Sequence, residues 1–236
     1  CLSGIVIHQL AQPGAPIVWG GAPAIFDMRS GVTPMGAIET EMIDVCYAQV
    51  GKALGLPTHT YLGASDAKLV DAQAGMESGM SALMGGLAGI NMISGAGMLD
   101  FLACFIFEKL VIDSESIAMT KRLLQGVTQH TQTLALELFA GINFKGEFLK
   151  QKATRRLFAR EQSLPSAVID RASISAWQQD GSLDTLARAS RKVNELLDAY
   201  QLPAISLEQE QELTRMVAGL ADQAGMPVLP SINRKG

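Results

Sequence analysis

Three short apolar runs punctuate the first hundred residues, and each leads into a stretch with helical spacing. "APIVWGG" ends in Gly20-Gly21; beyond a loop containing Pro23 and Pro34, the pattern predicts a helix from about Glu39 to Leu54, closed by Gly55 and Pro57. "THTYLGA", rich in β-branched and aromatic residues, predicts a second strand, followed by a helix from about Asp71 to Ala88. "INMISGAG" predicts a third, with helical sequence from about Asp100 onward.

After Val111 the pattern is helical. "SESIAMTKRLLQG" and "TQTLALELFAGI" space their apolar residues by helical turns, and "GEFLKQKATRRLFARE" is basic and partly amphipathic. "SLDTLARASRKVNELLDAY" and "SLEQEQELTRMVAGLADQAG" predict two more helices. In the last, Ser206 and Gln209 have capping-box spacing, and Leu213, Met216, Leu220 and Ala224 form one apolar stripe.

Strand, loop and helix repeating in this order imply parallel βαβ construction. The fold class expected is α/β, a TIM (β/α)8 barrel of which this chain covers the carboxyl-terminal part, because only three convincing units are present. The expected division is residues 1–145 for the barrel portion and 146–236 for a helical extension. An open doubly wound sheet is the other arrangement, but the first turn, "GGAPAIFD", lacks the G-x-G-x-x-G phosphate fingerprint. The chain opens on Cys1 in what reads as the end of a helix, so a portion of a longer protein is expected.

Composition narrows the function classes. Of 236 residues, 48% are hydrophobic and 18% charged, with a net charge of -4 and no dense Lys/Arg run, so a nucleic-acid surface is not expected. Residues 78–99 carry no charge, but six glycines and four polar residues divide the run into a small-residue helix and a strand, not a membrane span. Cys1, Cys46 and Cys104 are isolated, which suits a reducing cytoplasm. His8, His59 and His130 fall in no metal-ligand spacing, so no metal bound by this chain is expected.

Between Ala53 and Leu99 the only charged side chains are Asp66, Lys68, Asp71 and Glu77, all in "YLGASDAKLVDAQAGME". Loops after the carboxyl ends of parallel strands hold the active sites of such folds, and this cluster follows the second strand. Asp71 can cap the next helix, and Gln73 and Glu77 share a helix face. Trp19, Phe26 and Tyr61 lie near strand ends; core packing is the default for each, and aromatic faces also suit a cationic guest.

The segments "AQPGAPIVWGG", "GLPTHTYLGASDAKLVDAQAGME", "AGINMISGAGMLDF" and "FEKLVIDSE", with "GEFLKQKATRRLFARE" and "DRASISAWQQDG" further on, resemble the carboxyl-terminal half of the trimethylamine methyltransferase (MttB-like) family. The resemblance runs to about Gly181. It implies a TIM barrel and transfer of a methyl group from a methylated amine to the Co(I) of a separate corrinoid protein, in one-carbon metabolism of the methanogenic or acetogenic kind. No pyrrolysine is present, so the chain is similar to the non-pyrrolysine branch, whose substrates are quaternary amines such as glycine betaine.

On that resemblance the substrate-binding candidates are Trp19, Phe26 and Tyr61 facing the ammonium, Asp66 or Glu108 balancing its charge, and Lys68 holding a carboxylate, with Gln73 and Asn91 as further polar groups. No catalytic side chain is assigned, because the corrinoid of the partner protein supplies the nucleophile. Self-association is also implied. Two other readings remain open: a non-catalytic module that binds a methylated amine or a corrinoid protein, and a barrel lyase using Lys68 as a Schiff base.

Overall fold

The computed structural model describes residues 1–129, 136–140, 142, 146–201 and 204–226, apart from the side chains of residues 137 and 138. His130 and the first part of "TQTLALELFAGI" lie outside the described residues. The chain divides into two compact units, Cys1–Leu196 and Leu197–Gly236.

The first unit opens with helix α1 (Leu2–Ala11), then β1 (Trp19–Gly20), α2 (Ile38–Ala53), β2 (Thr58–Thr60), α3 (Ala72–Leu87) and β3 (Met92–Ile93). The three strands form one parallel sheet in the order β1-β2-β3, with Trp19 opposite Thr58, Gly20 opposite His59 and His59 opposite Met92. All three predicted strand–helix units are therefore present. Both crossover helices end in the same way: a left-handed glycine, Gly55 or Gly89, turns the chain, and the next residue donates back to the helix (Leu56 to Gly51, 3.0 Å; Ile90 to Gly85, 3.0 Å).

The helical sequence expected from Asp100 starts later. Asp100, Phe101 and Leu102 are successively left-handed, which no helix tolerates, and they close an antiparallel hairpin of β4 (Met98–Leu99) and β5 (Cys104–Phe105). Helix α4 then runs Phe107–Leu124. Beyond it come α5 (Leu136–Ala140), a 3-10 turn (Phe148–Lys150), α6 (Lys152–Glu161), α7 (Ile174–Gln179) and α8 (Thr185–Asp198). In the second unit, α9 (Leu207–Gln223) carries the predicted capping box, with Ser206 accepting from Gln209 N–H and the Gln209 side chain accepting in return.

Alternation along the strands gives the sheet two distinct faces. Trp19, Thr58 and Ile93 face the helices: Gly51 of α2 lies against Trp19 and Thr58, and Gly85 of α3 against Ile93 and Leu62. The core on this side is made of small residues and short aliphatics, Ala48, Leu62 and Ile90, with Ala67, Ala74 and Leu99 beside the strand-end loops. The opposite face carries Gly20, His59, Tyr61, Met92 and Ser94, and it is open; Met92 is half exposed. No helix among the described residues is long and apolar enough to cross a membrane.

Candidate functional site

The charged stretch of the sequence is an internally wired loop at the carboxyl end of β2. The Glu77 carboxylate, one turn into α3, accepts from Ser65 Oγ (2.5 Å) and Asp66 N–H (2.8 Å) with one oxygen, and from the Gln73 amide (2.8 Å) with the other. Asp71 caps α3 by accepting from Ala74 N–H at 3.1 Å. The loop is zipped to the one after β3 by Gly95 N–H to Leu62 O (3.1 Å), Ser65 N–H to Met98 O (3.1 Å) and Asp100 N–H to Ala67 O (3.2 Å).

Asp66 ties in the loop after β1. Its two oxygens accept from the N–H groups of Met35 (2.7 Å) and Gly36 (2.9 Å). Burial raises its pKa, and the two N–H donors oppose that shift. Gly36 has room for nothing larger: a Cβ there would stand 2.6 Å from the Glu77 carboxylate. Carboxylates that accept from backbone N–H groups thus hold the loops after β1 and β2, and backbone hydrogen bonds tie in the loop after β3. Asp66 and Glu77 together fix the shape of the loop after β2.

The other predicted site residues separate by position. Tyr61 is on the open sheet face, edge-on to His59 with ring centres 5.1 Å apart. Phe26 is exposed in the loop between β1 and α2. Lys68 stands on the rim with its ammonium engaged: Asp100 at 2.9 Å, the Asp66 carbonyl at 2.6 Å and the Phe101 ring at 4.0 Å. That engagement also sets it apart from the free amine a Schiff base needs. Gln73 is spent on Glu77.

Three candidates lie elsewhere. Trp19 is on the helix-facing side, 5% exposed, stacked on Tyr47 at 4.8 Å and donating from Nε1 to the Tyr47 carbonyl, so its ring belongs to the core. Asn91 sits at the starts of β2 and β3, accepting from Thr58 N–H (2.9 Å) and Thr58 Oγ1 (3.1 Å), at the end of the sheet away from the loops. Glu108, in the first turn of α4, accepts from Ser190 of α8 at 3.2 Å.

Two groupings behind the loops were not paired up from the sequence, although Asp113 in "FEKLVIDSE" reads there as a structural residue. Lys109 and Asp113 form a buried ion pair at 2.5 Å, with Lys109 also donating to Ser78 Oγ (2.7 Å) and the Gly63 carbonyl (3.2 Å), and Asp113 accepting from Gly97 N–H (2.7 Å). Their i, i+4 spacing on a predicted helix was the available signal. Glu41 and Asp44 on the buried face of α2 are each pushed up to about 7, Asp44 by burial and Glu41 by burial and then by the charges of Glu77 and Asp44. Among the described residues, Glu41 Oε2 and Asp44 Oδ1 have no hydrogen-bond partner, and neither does the buried Thr60 Oγ1. No group of three or more His, Cys, Asp and Glu side chains among the described residues is arranged to hold a metal.

Also missed was the pairing of His59 with Ser94, whose Nε2 and Oγ are 2.7 Å apart on the open face. The alternation in "THTYLGA" separates His59 and Tyr61 from Thr58 and Thr60, and that was the signal.

Residues 1–225 match the family described as trimethylamine methyltransferase (MTTB). The chain is 37% identical over 216 residues to trimethylamine methyltransferase MttB2 of Methanosarcina mazei, covering 92% of this chain and 43% of that protein. It is 32% identical over 225 residues to glycine betaine methyltransferase of Desulfitobacterium hafniense, covering 95% and 47%. A trimethylamine methyltransferase MttB of the same species is 30% identical over 225 residues, covering 95% and 45%. The chain spans less than half the length of these curated relatives.

Proposed function

Because this chain belongs to the trimethylamine methyltransferase family, we propose that it is the carboxyl-terminal part of an enzyme that moves a methyl group from a methylated amine to a cognate corrinoid protein. The proposed donor is a quaternary amine such as glycine betaine, since no pyrrolysine is present. A quaternary nitrogen is already an activated leaving group. Residues 1–145 would contribute to a (β/α)8 barrel and residues 146–236 a helical extension, in a cytoplasmic enzyme that self-associates.

The observation that carries this reading is the wiring of three consecutive strand-end loops beside an uncovered sheet face: Asp66 to Met35 and Gly36 and Glu77 to Ser65 and Asp66 join those after β1 and β2, and backbone hydrogen bonds such as Ser65 N–H to Met98 O tie in the one after β3. In a closed barrel that face is the interior and those loops surround its mouth. Nothing in the residues has to act as a nucleophile. The corrinoid, carried by the partner protein, would supply the electron pair that bonds the methyl carbon as the C–N bond breaks, and the tertiary amine would leave neutral with that bond's pair. What this chain supplies is position: Tyr61, with Phe26 on the neighbouring loop, faces the cation, and the rigid loops exclude water and hold one N–CH3 bond in line.

The test mixes the full-length protein with its reduced corrinoid protein and, separately, glycine betaine, proline betaine, carnitine and trimethylamine, following corrinoid methylation by absorbance. Methylation by a quaternary amine is expected. No methylation by any of the four, with the corrinoid shown to be reduced, would favour a non-catalytic binding module.

A further inference from the structure

We propose that His59 and Ser94 form a hydrogen-bonding subsite for the carboxylate of a zwitterionic methylated amine, an inference that rests on the functional reading above. Four observations lead to it. The parallel register sets Gly20, His59 and Met92 side by side on the face turned away from α2 and α3. Ser94 joins them on that face through the 2.7 Å contact between its Oγ and His59 Nε2. Gly20 leaves the edge of the imidazole uncovered, since a Cβ at that position would stand 3.0 Å from Nδ1. Tyr61 follows His59 by two residues on the same face, nearer the loops.

The chemistry of this arrangement suits an anion. When Nε2–H donates to Ser94 Oγ, the Ser94 hydroxyl proton is directed outward, toward an acceptor. No acidic side chain is among Gly20, His59, Tyr61, Met92 and Ser94, so a carboxylate meets no like charge from them. Two residues along a strand span about 6.6 Å, of the order of the length of a small amino-acid betaine. The Ser94 backbone follows the register beside Tyr61 while its hydroxyl reaches the His59 ring, so a molecule with its ammonium against Tyr61 can bring its carboxylate to that pair. The cation first considered for this duty, Lys68, is held at the rim by Asp100 and the Asp66 carbonyl.

The assignment divides substrates by chemistry: zwitterions use both levels, and carboxylate-free cations use only the upper one. Calorimetric binding to the full-length enzyme tests it, with glycine betaine and tetramethylammonium as probes and with wild type, His59→Phe and Ser94→Ala. The expected result is a loss of about tenfold or more in glycine betaine affinity in Ser94→Ala, from a lost hydrogen bond to a charged group, and a smaller loss in His59→Phe, where Ser94 loses the donor that orients its hydroxyl, with tetramethylammonium affinity unchanged in both. Ser94→Ala is the safeguard, because its small exposed side chain can be removed without disturbing the sheet. Equal losses for both probes would assign the pair a structural role and overturn the inference, as would no loss for either. Wild-type binding of tetramethylammonium but not of betaines would overturn it while leaving the functional reading intact; binding of neither would remove both.

Discussion

The side chain of Asp66 holds the backbone of Gly36 across 30 residues of sequence, accepting its N–H at 2.9 Å while its other oxygen accepts that of Met35 at 2.7 Å. One half-buried carboxylate therefore couples the loop after β1 to the loop after β2. Asp66→Ala should leave two N–H groups without their partner and lower stability by about 2–4 kcal/mol. Asp66→Asn should recover little, because its NH2 group would face one of those donors. Chemical denaturation of the three proteins side by side checks this.

Gly36 is constrained by the same wiring. Its missing Cβ would stand 2.6 Å from Glu77 Oε2, and that carboxylate is pinned by Ser65, Asp66 and Gln73. Gly36→Ala is expected to cost about 1–3 kcal/mol. In the Gly36→Ala/Glu77→Gly double variant the alanine should add much less than it does alone. Additive losses would show that the clash is relieved elsewhere.

Lys109 and Asp113 of α4 pair out of contact with solvent, beside Ser78 of α3. Lys109→Met should be strongly destabilising, by about 3–5 kcal/mol, because it leaves Asp113 buried without its cation. Replacing both, as Lys109→Met/Asp113→Leu, should restore part of that loss, reduced by the Gly97 N–H that Asp113 no longer accepts. A double-mutant cycle by thermal or chemical unfolding measures the coupling.

Glu41 and Asp44 give the fold a pH dependence of definite sign. Both titrate near 7 when folded, against ordinary values of 4.5 and 3.8, so between about pH 4 and 7 the folded state holds more protons than the unfolded chain. Their contribution to stability is fully present below pH 4, is lost as pH rises toward 7, and stays lost above it. Asp44→Asn, which mimics the protonated acid, should flatten the decline and make the protein more stable than wild type at pH 8. Unfolding free energies of both proteins from pH 4 to 8 supply the comparison; parallel curves would contradict it.

Where local chemistry decides structure, the sequence was sufficient. Asp71 caps α3 and Ser206 with Gln209 caps α9 because capping needs only neighbours within a turn. The three strands were visible because their runs are bounded by glycine and proline. Which face of a strand a residue occupies is set by packing between elements, so Trp19, near a strand end, read as core by default but also as a site aromatic. It became core because Gly51 of α2 lets the helix approach its ring. The hairpin at residues 98–105 was hidden for a related reason: Asp100, Phe101 and Leu102 adopt left-handed conformations that their side chains do not advertise. Loop charges were legible as a cluster, but not their partners, since Asp66 to Gly36 is a contact between two loops.

On the proposed function, the sheet face bearing Tyr61 and His59 is the interior of a closed barrel and holds the methylated amine. A crystal structure of the full-length protein with glycine betaine bound tests it most directly. The expected result is a closed eight-stranded barrel with the trimethylammonium group against Tyr61 and the carboxylate within hydrogen-bonding reach of Ser94. Betaine bound on the helix-facing side, or a sheet left open with that face covered by another element, would contradict it.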